Sequence, residues 1–165
     1  MNNESLLKRF YAREISIDQY VQMYYSGRSP TDDLLLETFA NAIYKKDAYL
    51  VEDIVVLLSS KYFTNSKFTT SLCELLLVNW HFKHEDIVSL LANIKDPNSV
   101  NYLYEATKLS LGYLEFDDTY QLARKCIKAL AVIASNRAID KLRLISNSDI
   151  EVIAGYAKKE LIRLA

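Results

Sequence analysis

Asp118, Ala123, Cys126, Leu130 and Ile133 are answered 31 residues later by Asp149, Ala154, Ala157, Leu161 and Leu164. A second echo, offset by 39, matches Val88, Leu91, Ile94, Val100 and Leu103 to Ile127, Leu130, Ile133, Ile139 and Leu142. Repeats of this length are the signature of stacked helical hairpins, because one hairpin cannot bury its own apolar face. The pattern predicts an all-α fold, an α-solenoid of antiparallel helical hairpins with no sheet. Such stacks usually hold another molecule, which puts binding ahead of catalysis.

The 165 residues suit one ordinary domain, expected to span 1–165 without an internal boundary. Three glycines and two prolines are too few for a sheet joined by many tight turns. Charged residues break up the first twenty positions, so no signal peptide is expected. The apolar runs at Leu75–Val78 and Ile54–Leu58 fall far short of the roughly 20 residues of a membrane span. A soluble, cytoplasmic protein is the expectation. Cys73 and Cys126 both fall within helical apolar patterns, where a free cysteine packs as a small hydrophobe.

Helix starts are legible. Ser16-Ile17-Asp18-Gln19, Ser71-Leu72-Cys73-Glu74 and Ser148-Asp149-Ile150-Glu151 all fit the capping box. Ser29-Pro30-Thr31-Asp32 offers a cap and a first-turn proline, and Asp96-Pro97 offers another. Asn136 is read as the cap of a short helix carrying Ala138, Ile139, Leu142 and Ile145. Residues 60–70 read as a loop. Helices are expected over Ala48–Ser59, from Ser71 through Trp80, over His84–Asp96 and over Asp118–Ala134.

From Leu122 to Ile133, from Ala138 to Leu142 and from Ile153 to Leu161 the chain resembles HEAT-like repeats of the phycobilisome-lyase type. It is also similar to bacterial immunity proteins, chiefly over Val88 to Leu103 and Leu122 to Leu142. The first resemblance implies a helical solenoid. The second implies a protein that binds and neutralises a toxin domain passed between competing cells.

Enzyme motifs are missing: there is no GxGxxG, no P-loop and no GxSxG. His81 and His84 share a helix-like spacing, but two histidines without a nearby cysteine do not complete a zinc set. They read as surface, interface or capping residues. No catalytic residue, cofactor or metal is expected.

The net charge of −1 hides an asymmetry. Residues 1–117 carry 11 basic and 16 acidic side chains, and residues 118–165 carry 9 basic and 5 acidic. Glu52 and Asp53, Glu85 and Asp86, and Glu115, Asp117 and Asp118 recur close to expected helix starts. Each has a plain reading as a solvated or dipole-stabilising group. Aligned along a solenoid, they would form an acidic stripe complementary to a basic protein. Twelve tyrosines supply interface-prone rings. Tyr49, Tyr102 and Tyr104 join the acidic residues as the expected partner-binding set, whereas Tyr20 and Tyr156 are expected in the core. Trp80 is read as core packing.

The favoured function is one-to-one occlusion of a basic, nuclease-type toxin domain, with no membrane role. A scaffold or adaptor is the second binding reading. The basic C-terminal residues keep nucleic-acid binding, with a glycosylase-like activity, as the competitor of another class.

Overall fold

The computed structural model describes residues 3–60, 66–114 and 118–165. Every regular element among them is helical, in ten α-helices and three single-turn 3-10 segments. The chain forms two compact units, Met1–Lys67 and Phe68–Ala165. No described helix is long and apolar enough to cross a membrane.

The first unit holds α1 (Asn3–Tyr11), α2 (Ile17–Tyr24), α3 (Asp32–Lys45) and α4 (Ala48–Leu58). The capping box at Ser16 forms as its sequence demands. The Ser16 hydroxyl accepts from the Gln19 amide at 3.2 Å, and the Gln19 side chain accepts from the Ser16 amide at 2.8 Å. At α3 the cap is Thr31, not Ser29, so Pro30 precedes the helix instead of entering its first turn. Leu35, Thr38, Phe39 and Ala42 form the buried stripe of α3, with Leu34 and Ile43 only half-buried at its edges.

Helix α4 is the most apolar of the unit and is nearly enclosed: Val51, Ile54 and Leu57 have no exposed surface. Asp53 is equally buried and accepts a hydrogen bond from the Tyr20 hydroxyl. Burial, and then the Asp53 charge, push the Tyr20 hydroxyl far above its ordinary range, so it stays a donor. Tyr20 therefore belongs to the core as expected. Tyr20→Phe should lower stability by about 1.5–3 kcal/mol, the worth of a hydrogen bond to a charged group. Urea denaturation checks this, and an unchanged midpoint would show that the hydroxyl is dispensable.

The second unit contains α5 (Thr69–Leu76), α6 (His84–Ile94), α7 (Val100–Ala106), α8 (Gln121–Ile133), α9 (Asn136–Ile145) and α10 (Glu151–Leu164). Helix α8 is its centre and packs against α6, α7, α9 and α10. Its buried residues, Leu122, Ala123, Cys126, Ile127, Ala129, Leu130 and Ala131, form a broad face, with Lys125, Lys128 and Val132 on the opposite side. The alanines let neighbouring backbones approach closely, and the larger side chains fill the remaining space. The Cys126 thiol is pushed up by burial, which suits packing and not reactivity.

The sequence echoes mark core positions. Val88, Leu91, Val100, Leu103, Ile127, Leu130 and Leu142 are all buried. The echo thins in α10, where Ala154 and Ala157 are buried but Leu161 and Leu164 are half-exposed.

Helix boundaries differ from the sequence expectation in the second unit as well, where α6 ends at Ile94 and not Asp96. Helix α5 begins at Thr69, before Ser71, and ends at Leu76, leaving Trp80 outside it. Ser135, not Asn136, caps α9 by accepting from the Ala138 amide at 3.2 Å. Tyr120 occupies the N-cap of α8, which starts three residues after Asp118. The capping box expected at Ser148 does not form. Its hydroxyl accepts from the Ile150 amide two residues on, and α10 starts only at Glu151.

Candidate protein-binding surface

Helix α5 stops in a manner that the sequence pattern alone does not reveal. His81 and His84 turn back beneath its end, and both rings are buried. One nitrogen of His81 faces the Leu75 carbonyl at 2.8 Å, and the other accepts from the Lys83 amide at 3.1 Å. The matching nitrogen of His84 faces the Val78 carbonyl at 2.6 Å, and its partner lies 2.9 Å from the Tyr113 hydroxyl. A carbonyl only accepts, so in each ring Nε2 carries the proton. For His81 the Lys83 amide then requires a bare Nδ1, and His84 completes its set by accepting from Tyr113. Both rings are neutral and satisfied at all four nitrogens.

The rings continue into a stack. Trp80 meets His81 edge-on at 5.3 Å, and His81 lies on His84 at 4.2 Å. His84 contacts Tyr113 at 5.8 Å, and Tyr113 meets Phe82 edge-on at 5.3 Å. The inner members fix the outer ones. At the outer end Phe82 is 67% exposed and Tyr113 40% exposed. Phe82 is thus openly displayed while its position is fixed by a ring that is itself hydrogen-bonded.

Acidic groups border this pair of rings. Glu85 and Asp86 occupy the first turn of α6, where the helix dipole favours them. Glu85 pairs with Lys125 of α8 at 2.7 Å, and Asp86 is exposed. Burial, and then the charges of Glu85 and Asp86, push the Tyr113 hydroxyl up to about 12. Burial pushes His81 down to about 4 and also lowers His84. Burial with both nitrogens engaged disfavours a second proton on either ring near neutral pH. Among the described residues no group of three or more His, Cys, Asp or Glu side chains is arranged to hold a metal ion.

The other expected partner-binding residues scatter. Asp53 is wholly buried against Tyr20 and is unavailable to a partner, which corrects its reading as a surface acid. Glu52 is half-buried and accepts from the Tyr11 hydroxyl at 3.2 Å. Both lie in the second turn of α4, not its first. Tyr49 is 62% exposed at the start of the same helix. Tyr102 points to solvent from α7. Tyr104 is half-buried, with the ammonium groups of Lys108 and Lys141 at 3.9 and 4.2 Å from its ring centre. Asp118 is exposed, and Glu115 and Asp117 lie outside the described residues. Tyr156 is half-buried, its hydroxyl donating to the Thr119 carbonyl at 2.9 Å.

Phe82 was given no role from the sequence, and His81 and His84, read there as surface, interface or capping residues, are buried and cap the Leu75 and Val78 carbonyls. The dense ring run Trp80-His81-Phe82-Lys83-His84 was a signal for them, but its partner Tyr113 lies 29 residues beyond His84. No protein-family model, curated protein or solved structure matches the chain.

Proposed function

We propose that this chain is a binding protein of the immunity type, a HEAT-like helical array over 1–165 that occludes a basic toxin domain in the cytoplasm. The observation that carries the reading is the pre-ordered anchor of Phe82 and Tyr113 bordered by Glu85 and Asp86. An exposed aromatic centre within a charged rim is the arrangement that protein interfaces use for affinity and partner choice. The aromatic pair would enter a pocket on the toxin, and the acids would steer its basic surface into register. The array itself is supported by the offset echoes, most of whose positions lie in the core around α8.

The decisive test combines capture with rescue. The tagged chain should retain a basic protein from its native cell, and co-expression should restore growth to cells producing that protein. Capture of proteins with no toxic activity would favour the scaffold reading. Glu85→Lys with Asp86→Lys should slow association about tenfold at low salt while leaving helicity nearly unchanged, the lost Lys125 pair being partly exposed. Asp118→Lys should add to the effect if the acidic stripe extends that far. Stopped-flow association at two ionic strengths separates these outcomes, and unchanged rates would remove the acidic stripe from the account.

A nucleic-acid reading keeps one specific support. Lys128, Lys158 and Lys159 are exposed and make no ion pair among the described residues. Salt-sensitive retention of RNA or DNA would favour it. Excision of a damaged base would turn the binding protein into an enzyme.

A further inference from the structure

In the second unit two clefts of about 320 and 360 Å³ adjoin, sharing Thr107, Lys108, Ile150 and Ile153 as lining. The first lies over Leu111 and Leu122 and is bordered by Leu114, Asp118 and Tyr120. The second opens toward the turn between α9 and α10. Three large apolar side chains stand exposed along this groove: Tyr120 at 39%, Ile150 at 41% and Leu144 at 56%.

Tyr120 has a left-handed backbone, with φ 52°. Of the six such non-glycine residues described, Arg13, Ser26, Lys46, Lys95 and Ala134 follow helix ends, where this conformation commonly closes the last turn. Tyr120 alone precedes a helix. A bulky residue in this region is strained, and here the strain places its ring at the groove.

Each cleft is bordered by one exposed carboxylate. Asp118 and Asp149, one bordering each cleft, make no ion pair among the described residues. Lys108 is paired with Glu105 at 3.0 Å, and Lys141 lies against the Tyr104 ring. An apolar floor with a carboxylate at each cleft that is unpaired among the described residues fits a chain segment that alternates apolar and cationic side chains.

We propose that this groove receives a segment of the partner protein in which apolar anchors stand beside lysine or arginine. The two clefts each take one anchor, and Asp118 and Asp149 each meet a neighbouring cation. The assignment rests on the partner-binding reading above but names a second contact, distinct from the Phe82 surface.

A random peptide library displayed on phage, panned against the intact protein, provides the probe. Enriched peptides should pair aliphatic or aromatic residues with lysine or arginine. When added to ¹⁵N-labelled protein they should shift the amides of Tyr120, Asp149, Ile150 and Ile153. Leu144→Arg with Asp149→Lys, both at exposed positions, should weaken that binding at least about tenfold without loss of helicity. Enrichment of acidic peptides, shifts confined to other helices, or unchanged affinity in the double variant would overturn the proposal. A toxin bound and inhibited equally by the wild type and the double variant would also overturn it, while leaving occlusion intact. Groove-binding peptides without any inhibited toxin would instead leave the groove and remove occlusion.

Discussion

Lowering the pH from 7 to 4 should destabilise the protein by about 3 kcal/mol through His81 alone, with a further contribution from His84. In the unfolded chain His81 titrates near its ordinary 6.5, whereas in the fold burial holds it down to about 4. Below pH 6.5 the unfolded state therefore binds a proton that the folded state refuses. Stability contributed by the neutral ring is complete above that value, declines as pH falls and is fully lost below about 4. Geometry enforces the refusal. A proton on Nδ1 of His81 would confront the Lys83 amide hydrogen, and the stacked His84 leaves little space for a second charge. Carboxylates also weaken folds in acid, so the informative quantity is a difference. His81→Gln with His84→Gln should be less stable at pH 7 but should lose much less stability between pH 6.5 and 4. Parallel curves for the variant and the wild type would show that the buried pair does not control acid lability.

Leu130→Ala and Leu91→Ala should each cost about 2–5 kcal/mol, the range for a fully buried leucine that leaves a cavity. Both side chains have no exposed surface, and α6 packs directly on α8. Leu161 answers Leu130 in the sequence echo but is half-exposed in α10. Leu161→Ala should therefore cost visibly less, because fewer neighbours surround the methyl groups that are removed. Chemical denaturation of the three variants orders them. Equal losses would show that the echo, and not local burial, predicts the energetics.

Much of the helical character was legible because it depends on local chemistry. Ser16 and Gln19 cap α2 through neighbouring amides, and the apolar spacing around Leu130 survives any reasonable shift of helix ends. Long-range pairings were less accessible. Asp53 falls on the 3.6-residue stripe of Leu50, Ile54 and Leu57 and Glu52 lies opposite it, so its inward placement was legible, but its partner Tyr20, 33 residues away, was not. The end of α5 is met by His81 donating to the Leu75 carbonyl, and the turn after it by His84 donating to Val78, contacts that apolar spacing does not encode. Ser148 fitted a capping box by residue type, but its hydroxyl had a closer amide at Ile150. Phe82 was hidden for the opposite reason: its lack of a periodic core position is what leaves it available to a partner.

The most direct measurement is an inhibition titration of the captured basic domain by the wild type and by Phe82→Ala. Toxin activity should fall to zero at one equivalent of wild-type chain. Phe82→Ala should raise the Kd at least about 30-fold, corresponding to about 2 kcal/mol for a central aromatic anchor. Circular dichroism should report the same helicity for both, because Phe82 is largely exposed. Full toxin activity at saturating chain, or an unchanged Kd for Phe82→Ala, would contradict the occlusion mechanism at its centre.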